Sequence, residues 1–461
     1  MAANKFSLFG FTISRKEDEN SQAVQQSFTP PVNDDGALTI TSAAYYGTYV
    51  DLDGSAKNEI ELIGRYREMA MQPEIESAID DIINEAICQD DDGKNIRMIL
   101  DELKQPDKIK KSLQTEFNTV LRLLNYNQMA QDVFRRYYVD GRLYYHIIVD
   151  REAPTDGIKE LRYIDPRKIK KVREVTKKRD LKGKGVEMVE ATAEWFVYNE
   201  SGLQQGNSNV GLQISTDSIT YVTSGVVDQT KNMVMGHLHK AIKPTNQLRM
   251  IEDAVVIYRI VRAPERRIFY VDVGNLPKVK AEAYLRDVMA RYRNKLVYDA
   301  STGEIRDDKK HMSMLEDFWL PRREGGRGTE ITTLPGGQNL GELKDVEYFK
   351  KKLYNSLNLP PSRLDDSNQG FSLGRSSEIL RDELKFAKWI ARLRKKFSAL
   401  FHDMLKTQLI LKGIIAPEDW EEMQEHIQYD YQFDNHFEEL KQAELMGNRL
   451  QVATALDPFL G

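Results

Sequence analysis

The chain has 461 residues, of which 41% are hydrophobic and 30% charged, and its formal net charge is −5. That length corresponds to about two to four folded units, and the apolar content excludes a disordered chain. The small net charge confines any nucleic-acid contact to a local patch, and the single cysteine, Cys88, excludes an internal disulfide framework and a cysteine-built zinc cluster.

The opening, MAANKFSLFGFTISRKEDEN, is too short and too polar in its apolar part to read as a secretory leader. No run of about 18 apolar residues occurs that would span a membrane. Residues 1–50 are rich in Ser, Thr, Gln, Asn, Gly and Pro, with FTPPVNDDGA as a breaker, and are expected to be flexible and mostly unstructured. Ile60, Ile63, Tyr66 and Arg67, then Ile75, Ile79, Ile82 and Ile83, recur at helical spacing, and Pro73 splits that stretch into two helices. DDDGKN at 90–95 is a turn, and 107–137 continues as helix. Asp140-Gly141 is a hairpin-type signal feeding a strand from Arg142 to Val149. Short strands are expected across 158–225, helix across 244–263, and a mixture of strands, turns and one helix (277–293) across 268–334. The remainder, 341–358, 377–412, 417–426 and 434–456, reads as helix, with a Gly/Ser/Asn/Asp loop after 358. Two helical segments, 244–263 and 341–358, therefore bracket an α+β insertion. Such a short insertion has a modest core of its own, and completion by a neighbouring copy is expected.

The crossing VVIYRIVRAPERRIFYVDVG, 255–274, combines apolar surface with a cluster of arginines. At 100° per residue, Arg259, Arg262 and Arg266 fall within about 60° of each other on a helix. Ile251, Ala254, Val255, Tyr258 and Val261 give a broad apolar surface elsewhere, and Pro264 ends or kinks the helix before Arg266. A charge row of this kind reads first as a solvated, salt-bridged face. The run RKIKKVREVTKKRDLKGK, 167–184, holds ten bases and two acids; it reads as a solvated hairpin turning at KGKG, with a contact to another protein as the functional alternative.

Enzyme signatures are missing. There is no G-x-x-x-x-G-K-[ST] and no G-x-S-x-G. YVDVG, 270–274, faintly resembles a polymerase catalytic strand, but two-metal chemistry needs paired carboxylates and Asp272 has none beside it. His237 and His239 in GHLHK lack a third ligand nearby, and a structural role is expected for both. No catalytic residue, metal site or cofactor is assigned.

The runs IEDAVVIYRIVRAPERRIFYVDVGNLPKVKAE, KLVYDASTGEIRDDKKHMSMLEDFWLPRREGGRGTEITTLPGGQNLGEL and LNLPPSRL carry a family resemblance, joined by KELRYIDPRKIKKVREV and RDELKFAKWIARLRKKF. From about residue 40 onward the chain resembles the portal vertex protein of contractile-tailed, T-even-type bacteriophages. The resemblance implies an α+β portal fold with wing, stem, clip and crown, assembled as a dodecameric ring around a central DNA channel. On this sequence it implies a wing at 51–243 and 378–430, stem helices at 244–268 and 335–363, and a clip at 269–334. A channel loop at 364–377 and a crown at 431–461, shorter than is usual for such proteins, complete the map.

Further expectations follow from the resemblance. The channel loop would present Asp365, Asp366, Asn368, Gln369, Gly370, Phe371, Leu373, Gly374 and Arg375 to double-stranded DNA, touching it without reading sequence. Val255, Tyr258, Arg259, Arg262, Arg266 and Arg267 would lie at the stem interface between subunits. Interface contact is preferred for these arginines over phosphate contact, because each neutralised phosphate adds affinity and DNA has to slide. Asp307, Lys309, Lys310, Glu316, Asp317, Trp319, Arg322 and Arg323 would form the clip surface that docks the large terminase subunit and later the neck and head-completion proteins. Major capsid and scaffold proteins are further expected partners. The protein would reside in the virion at the capsid vertex, after assembly in the host cytoplasm with the inner membrane as one candidate assembly site. The alternative of a different class is a metal-dependent nucleic-acid enzyme built on Asp272.

Overall fold

In the computed structural model, the described residues are 5–8, 11–14, 35–42, 52–88, 93–179, 187–200, 202, 211–228, 233–262, 266–292, 297–298, 305–306, 318–322, 330–334, 343–360, 363, 376–432, 446–447 and 449–454. The principal helices are, in chain order, α1 (Leu52–Met69), α2 (Pro73–Ala86), α3 (Asp107–Leu123), α4 (Tyr126–Asp140), α5 (Ile242–Arg262), α6 (Lys278–Tyr292), α7 (Lys344–Ser356), α8 (Ser376–Phe397), α9 (Ala399–Leu411) and α10 (Pro417–Met423). The chain divides into two compact units, one of Met1–Lys240 with Leu357–Gly461 and one of Ala241–Ser356.

The larger unit holds a three-stranded and a four-stranded sheet, with two-stranded pairs beside them. Pro73 occupies the first position of α2, where its missing N–H leaves no bond unmade. Ile75, Ala78, Ile79, Ile82, Ile83 and Ala86 then form the buried stripe of that helix. The helix expected across 107–137 is broken at Asn125, whose φ of 48° is left-handed; asparagine tolerates that conformation better than most side chains. Asp140-Gly141 does not make a hairpin. Gly141 (φ 70°) ends α4, its N–H donating to the Tyr137 carbonyl at 2.9 Å, and the chain enters the strand Arg142–Val149 directly. That strand lies between Ile219–Thr223 and Ile158–Ile164, antiparallel to both.

The second sheet runs Leu38–Ser42, Ile169–Arg179, Glu187–Tyr198, Leu212–Ser215. Its first pair is parallel and the others antiparallel. Within 1–50, expected to be mostly unstructured, the described residues include strands: Leu38–Ser42 is an edge strand, and Lys5–Leu8 pairs with Phe11–Ser14. The edge strand is tied down just before it begins. Asp35 accepts from Lys171 at 2.6 Å and from Arg173 at 2.8 Å, and its carbonyl accepts from the Tyr221 hydroxyl at 2.7 Å.

Helices α8 and α9 return from the far end of the chain to complete this unit. Phe397 and Phe401 join Tyr126, Phe134 and Phe117 in one aromatic core, with ring centroids 4.9–6.4 Å apart in the edge-on and tilted geometries that aromatic quadrupoles favour. The strand Gln428–Tyr431 pairs antiparallel with Ile96–Ile99.

The smaller unit opens and closes with α5 and α7, which pack on each other; Lys352 of α7 donates to Gln247 of α5 at 3.4 Å. Between them Arg266–Asp272 is the central strand, parallel to Phe318–Arg322 and antiparallel to Glu330–Leu334. Helix α6 lies against the Phe318–Arg322 strand, and Val297–Tyr298 pairs with Ile305–Arg306.

Candidate functional site

The expected row of arginines is not one helical row. Helix α5 stops at Arg262, and Arg266 and Arg267 open a strand, opposite Leu334 and Thr333. Pro264 stands between the two in the sequence. Arg259 and Val255 are half-buried on α5, while Ile257 and Ala254 are exposed. Tyr258, Arg262, Arg266 and Arg267 are described by their backbone alone.

The smaller unit leaves much apolar surface uncovered. Met250 is 72% exposed, Val279 78%, Ile331 60% and Tyr348 61%, and Leu276, Tyr284, Leu320 and Leu343 are also exposed. Among its described residues, Leu248, Val271, Val273, Ala281, Leu353 and Tyr354 are buried. Exposed large apolar side chains in this number are suited to being covered by other chains.

The residue of the enzyme alternative and one expected docking residue meet within the sheet. Asp272 and Arg322 are register partners. Asp272 is exposed, and its Oδ1 accepts from the Gly274 N–H at 2.9 Å, so it closes a turn. Arg322 lies over the Tyr270 ring at 5.5 Å and pairs with Glu330 at 2.8 Å. Trp319 is opposite Phe269 in register. Asp307, Lys309, Lys310, Glu316, Asp317 and Arg323 lie outside the described residues, as do the channel-loop residues Asp365, Asp366, Asn368, Gln369, Gly370, Phe371, Leu373, Gly374 and Arg375.

The basic run is not a solvated hairpin over its described first half. Ile169–Arg179 does pair with Glu187–Tyr198, but its Lys170, Lys171 and Arg173 are buried or half-buried and meet carboxylates. Lys170 and Arg142 share Glu59 at 2.5 and 2.9 Å, all three being buried. Lys171 and Arg173 share Asp35 and Glu194. Burial pulls the Lys170 ammonium down, with Glu59 opposing. Nearby, Asp165 receives Arg67 and Arg167; burial alone would raise its carboxyl, but the two guanidinium groups hold it well below the usual carboxylate range. These are structural networks, since an unpaired charge at such sites is costly.

The histidines of GHLHK also have structural partners. His239 Nδ1 lies 2.8 Å from the Tyr66 hydroxyl, and His237 stacks on Tyr138 at 5.2 Å. Among the described residues no three His, Cys, Asp or Glu side chains gather as metal ligands, and no helix is long and apolar enough to cross a membrane.

Sequence reasoning passed over two arginines of the larger unit. Arg363, inside LNLPPSRL, donates to Glu383 at 3.0 and 2.9 Å and to Glu85 at 3.1 Å. Arg394, buried, donates to the carbonyls of Ala86, Glu85 and Gln432. Their partners on α2 lie about three hundred positions off in sequence, and even Glu383 is 20 positions from Arg363, so no local pattern announces them.

The chain is thus α+β in two units, the smaller a helix–sheet–helix unit with exposed large apolar side chains, the kind of surface that subunits of larger assemblies carry. A family profile described as "Bacteriophage T4-like portal protein (Gp20)" matches residues 59–461, and the chain belongs to that family. It is 38% identical over 97% of its length to the portal protein of Vibrio phage KVP40, covering 91% of that protein. It is 35% identical over 97% of its length to the portal protein of Salmonella phage ViI, covering 82% of that one. Among solved structures, a chain of the neck of a native GTA particle computed with C12 symmetry aligns over 86% of this chain and 89% of its own, at 11% identity and a TM-score of 0.46. The role of this protein is structural: it is a portal, a virion component at the capsid vertex with a channel for DNA.

Proposed function

We propose that twelve copies of this chain close into a ring and that double-stranded DNA enters and leaves the capsid through it without being read in sequence. In this reading Ala241–Ser356 supplies stem and clip: α5 and α7 are the stem helices, the sheet around Arg266–Asp272 is the clip, and the larger unit is the wing. Residues 364–377 line the channel, and the segment from 431 leads to the crown. The clip surface around Asp307, Lys309, Lys310, Glu316, Asp317, Trp319, Arg322 and Arg323 receives the large terminase subunit, which brings the ATP hydrolysis, and later the neck proteins. Capsid and scaffold proteins contact the wing during head assembly in the host cytoplasm.

The observation that carries the reading is the uncovered apolar surface of the smaller unit, with Met250, Val279, Ile331 and Tyr348 all more than half exposed. Permanent assemblies bury about 2,000 Å² or more per interface, rich in such side chains. The test is the mass of the purified chain by light scattering, followed by end-on electron microscopy. A ring of twelve subunits with a hole wide enough for a duplex is expected. A stable 53.2 kDa monomer that hydrolyses nucleic acid with magnesium would instead favour an enzyme built on Asp272.

A further inference from the structure

Arg363 is the last described residue before the segment 364–375, and α8 begins at Ser376 on its far side. The Arg363 guanidinium reaches across that gap. Its Nε donates to Glu383 Oε1 at 3.0 Å and its Nη2 to Glu383 Oε2 at 2.9 Å, a two-pronged bond onto α8. The same Nη2 donates to Glu85 Oε2 at 3.1 Å on the last turn of α2. The guanidinium lies over the Phe386 ring at 4.7 Å, and Phe386 is buried, so the plane of the fork is fixed.

The post to which it is tied is rigid. Arg394, itself buried, donates Nε to the Ala86 carbonyl at 2.9 Å and Nη2 to the Glu85 carbonyl at 2.8 Å, holding the same turn of α2 from its other side. The approach to Arg363 is pinned as well: Leu357 and Leu359 are buried, and the Arg363 N–H donates to the Pro360 carbonyl at 3.1 Å. Glu85, Glu383 and Asp81 crowd this one cation. The Asp81 carboxyl is pushed up by burial, with Arg363 opposing and with Asp80 and Glu383 adding to the rise. Without the cation, like charges would face each other across the gap between α2 and α8.

We infer that Arg363 is a positioning residue that fixes the spacing of the two feet of segment 364–377 and ties both to the last turn of α2. Its meaning for DNA rests on the reading of that segment as the channel loop; its mechanical role does not. The clamp holds both ends of the segment on a post that belongs to the body of the larger unit. A contact made within the segment is thus referred to a fixed frame.

The test is hydrogen–deuterium exchange on the full chain in its assembled form, comparing the unaltered protein with Arg363→Ala, Arg363→Lys and Glu383→Gln. Peptides covering 357–363 and the first turns of α8 should exchange about tenfold faster in Arg363→Ala and Glu383→Gln, with α9 peptides unchanged. Arg363→Lys should fall between, keeping the charge but losing the fork. If Arg363→Ala fails to assemble, Glu383→Gln, which keeps side-chain shape, decides. Equal exchange at the two feet in every variant overturns the clamp. DNA retention by particles carrying the same variants judges the channel reading separately: faster exchange with normal retention leaves the clamp standing and removes the loop from the channel.

Discussion

Gln408 Nε2 donates to Glu116 Oε2 at 2.8 Å, joining α9 to α3 across 292 positions of sequence. The same amide accepts the buried Ile158 N–H at 2.7 Å through Oε1, and Lys412 closes the far side of Glu116 at 2.7 Å. One glutamine thus ties the returning C-terminal helices to both the helical and the sheet part of the larger unit. Gln408→Leu should destabilise this unit by about 2–4 kcal/mol in chemical denaturation, because it strands a buried N–H and removes a donor from a buried carboxylate. Gln408→Glu keeps an acceptor for Ile158 but sets a second carboxyl group against Glu116 in place of the donated N–H, so it should also lower the denaturation midpoint.

Gly141 is the second test. Its φ is +70°, and an added Cβ would lie 2.6 Å from the Gly236 Cα and 2.9 Å from the Met235 carbonyl oxygen. Both neighbours are backbone, so nothing soft can yield. Gly141→Ala should cost about 3 kcal/mol or more, read as a lowered thermal midpoint with unchanged helix content at low temperature.

These two residues also mark where sequence reading stopped. Hydrophobic periodicity placed α5, α6, α7 and the strand Arg142–Val149 close to where they lie, because their patterns are local. Asp140-Gly141 is the same dipeptide in a hairpin or at a helix end; which one forms depends on Gly236 packing against it, 95 positions away by number. The basic run at 167–184 reads as solvated because its counter-charges, Asp35 and Glu59, arrive from elsewhere; Asp35 lies 136 positions before Lys171. The arginine row failed for a local reason that the sequence did contain, the break at Pro264. Arg363 and Arg394 had no signal at all, since their partners Glu85 and Ala86 precede them by about three hundred positions.

His237 gives a pH prediction. It is stacked on Tyr138 with the rings 14° from parallel, edge-on to Tyr137, and its Nε2 has no hydrogen-bond partner among the described residues. Burial, then Lys396 and Lys240, pull its pKa from 6.5 to about 4. The folded state therefore keeps the ring neutral while the unfolded chain takes up a proton. Stability from this group is intact above about pH 6.5 and lost as pH falls toward about 4, by about 3 kcal/mol in total at 1.36 kcal/mol per pH unit. His237→Phe should flatten the stability profile between pH 6.5 and 4 in denaturation curves. A residual slope is expected from His239 and His402, whose pKa values burial also lowers.

Val255 separates folding from assembly. It is half-buried on α5, in a unit where Met250 and Ile257 on the same helix are exposed. Aspartate there can keep its charge in water in the free chain, so circular dichroism and the thermal midpoint of the unassembled chain should change little, by less than about 1 kcal/mol. In the proposed ring a neighbour covers the position, and each copy would then bury an unpaired carboxylate. Val255→Asp should accordingly give folded subunits that do not close, read as the loss of the ring species in light scattering and sedimentation. Normal rings from this variant would remove Val255 from the interface and move the contact to another face of α5. Loss of the folded signal in the unassembled chain would instead place Val255 in the internal core of its own unit.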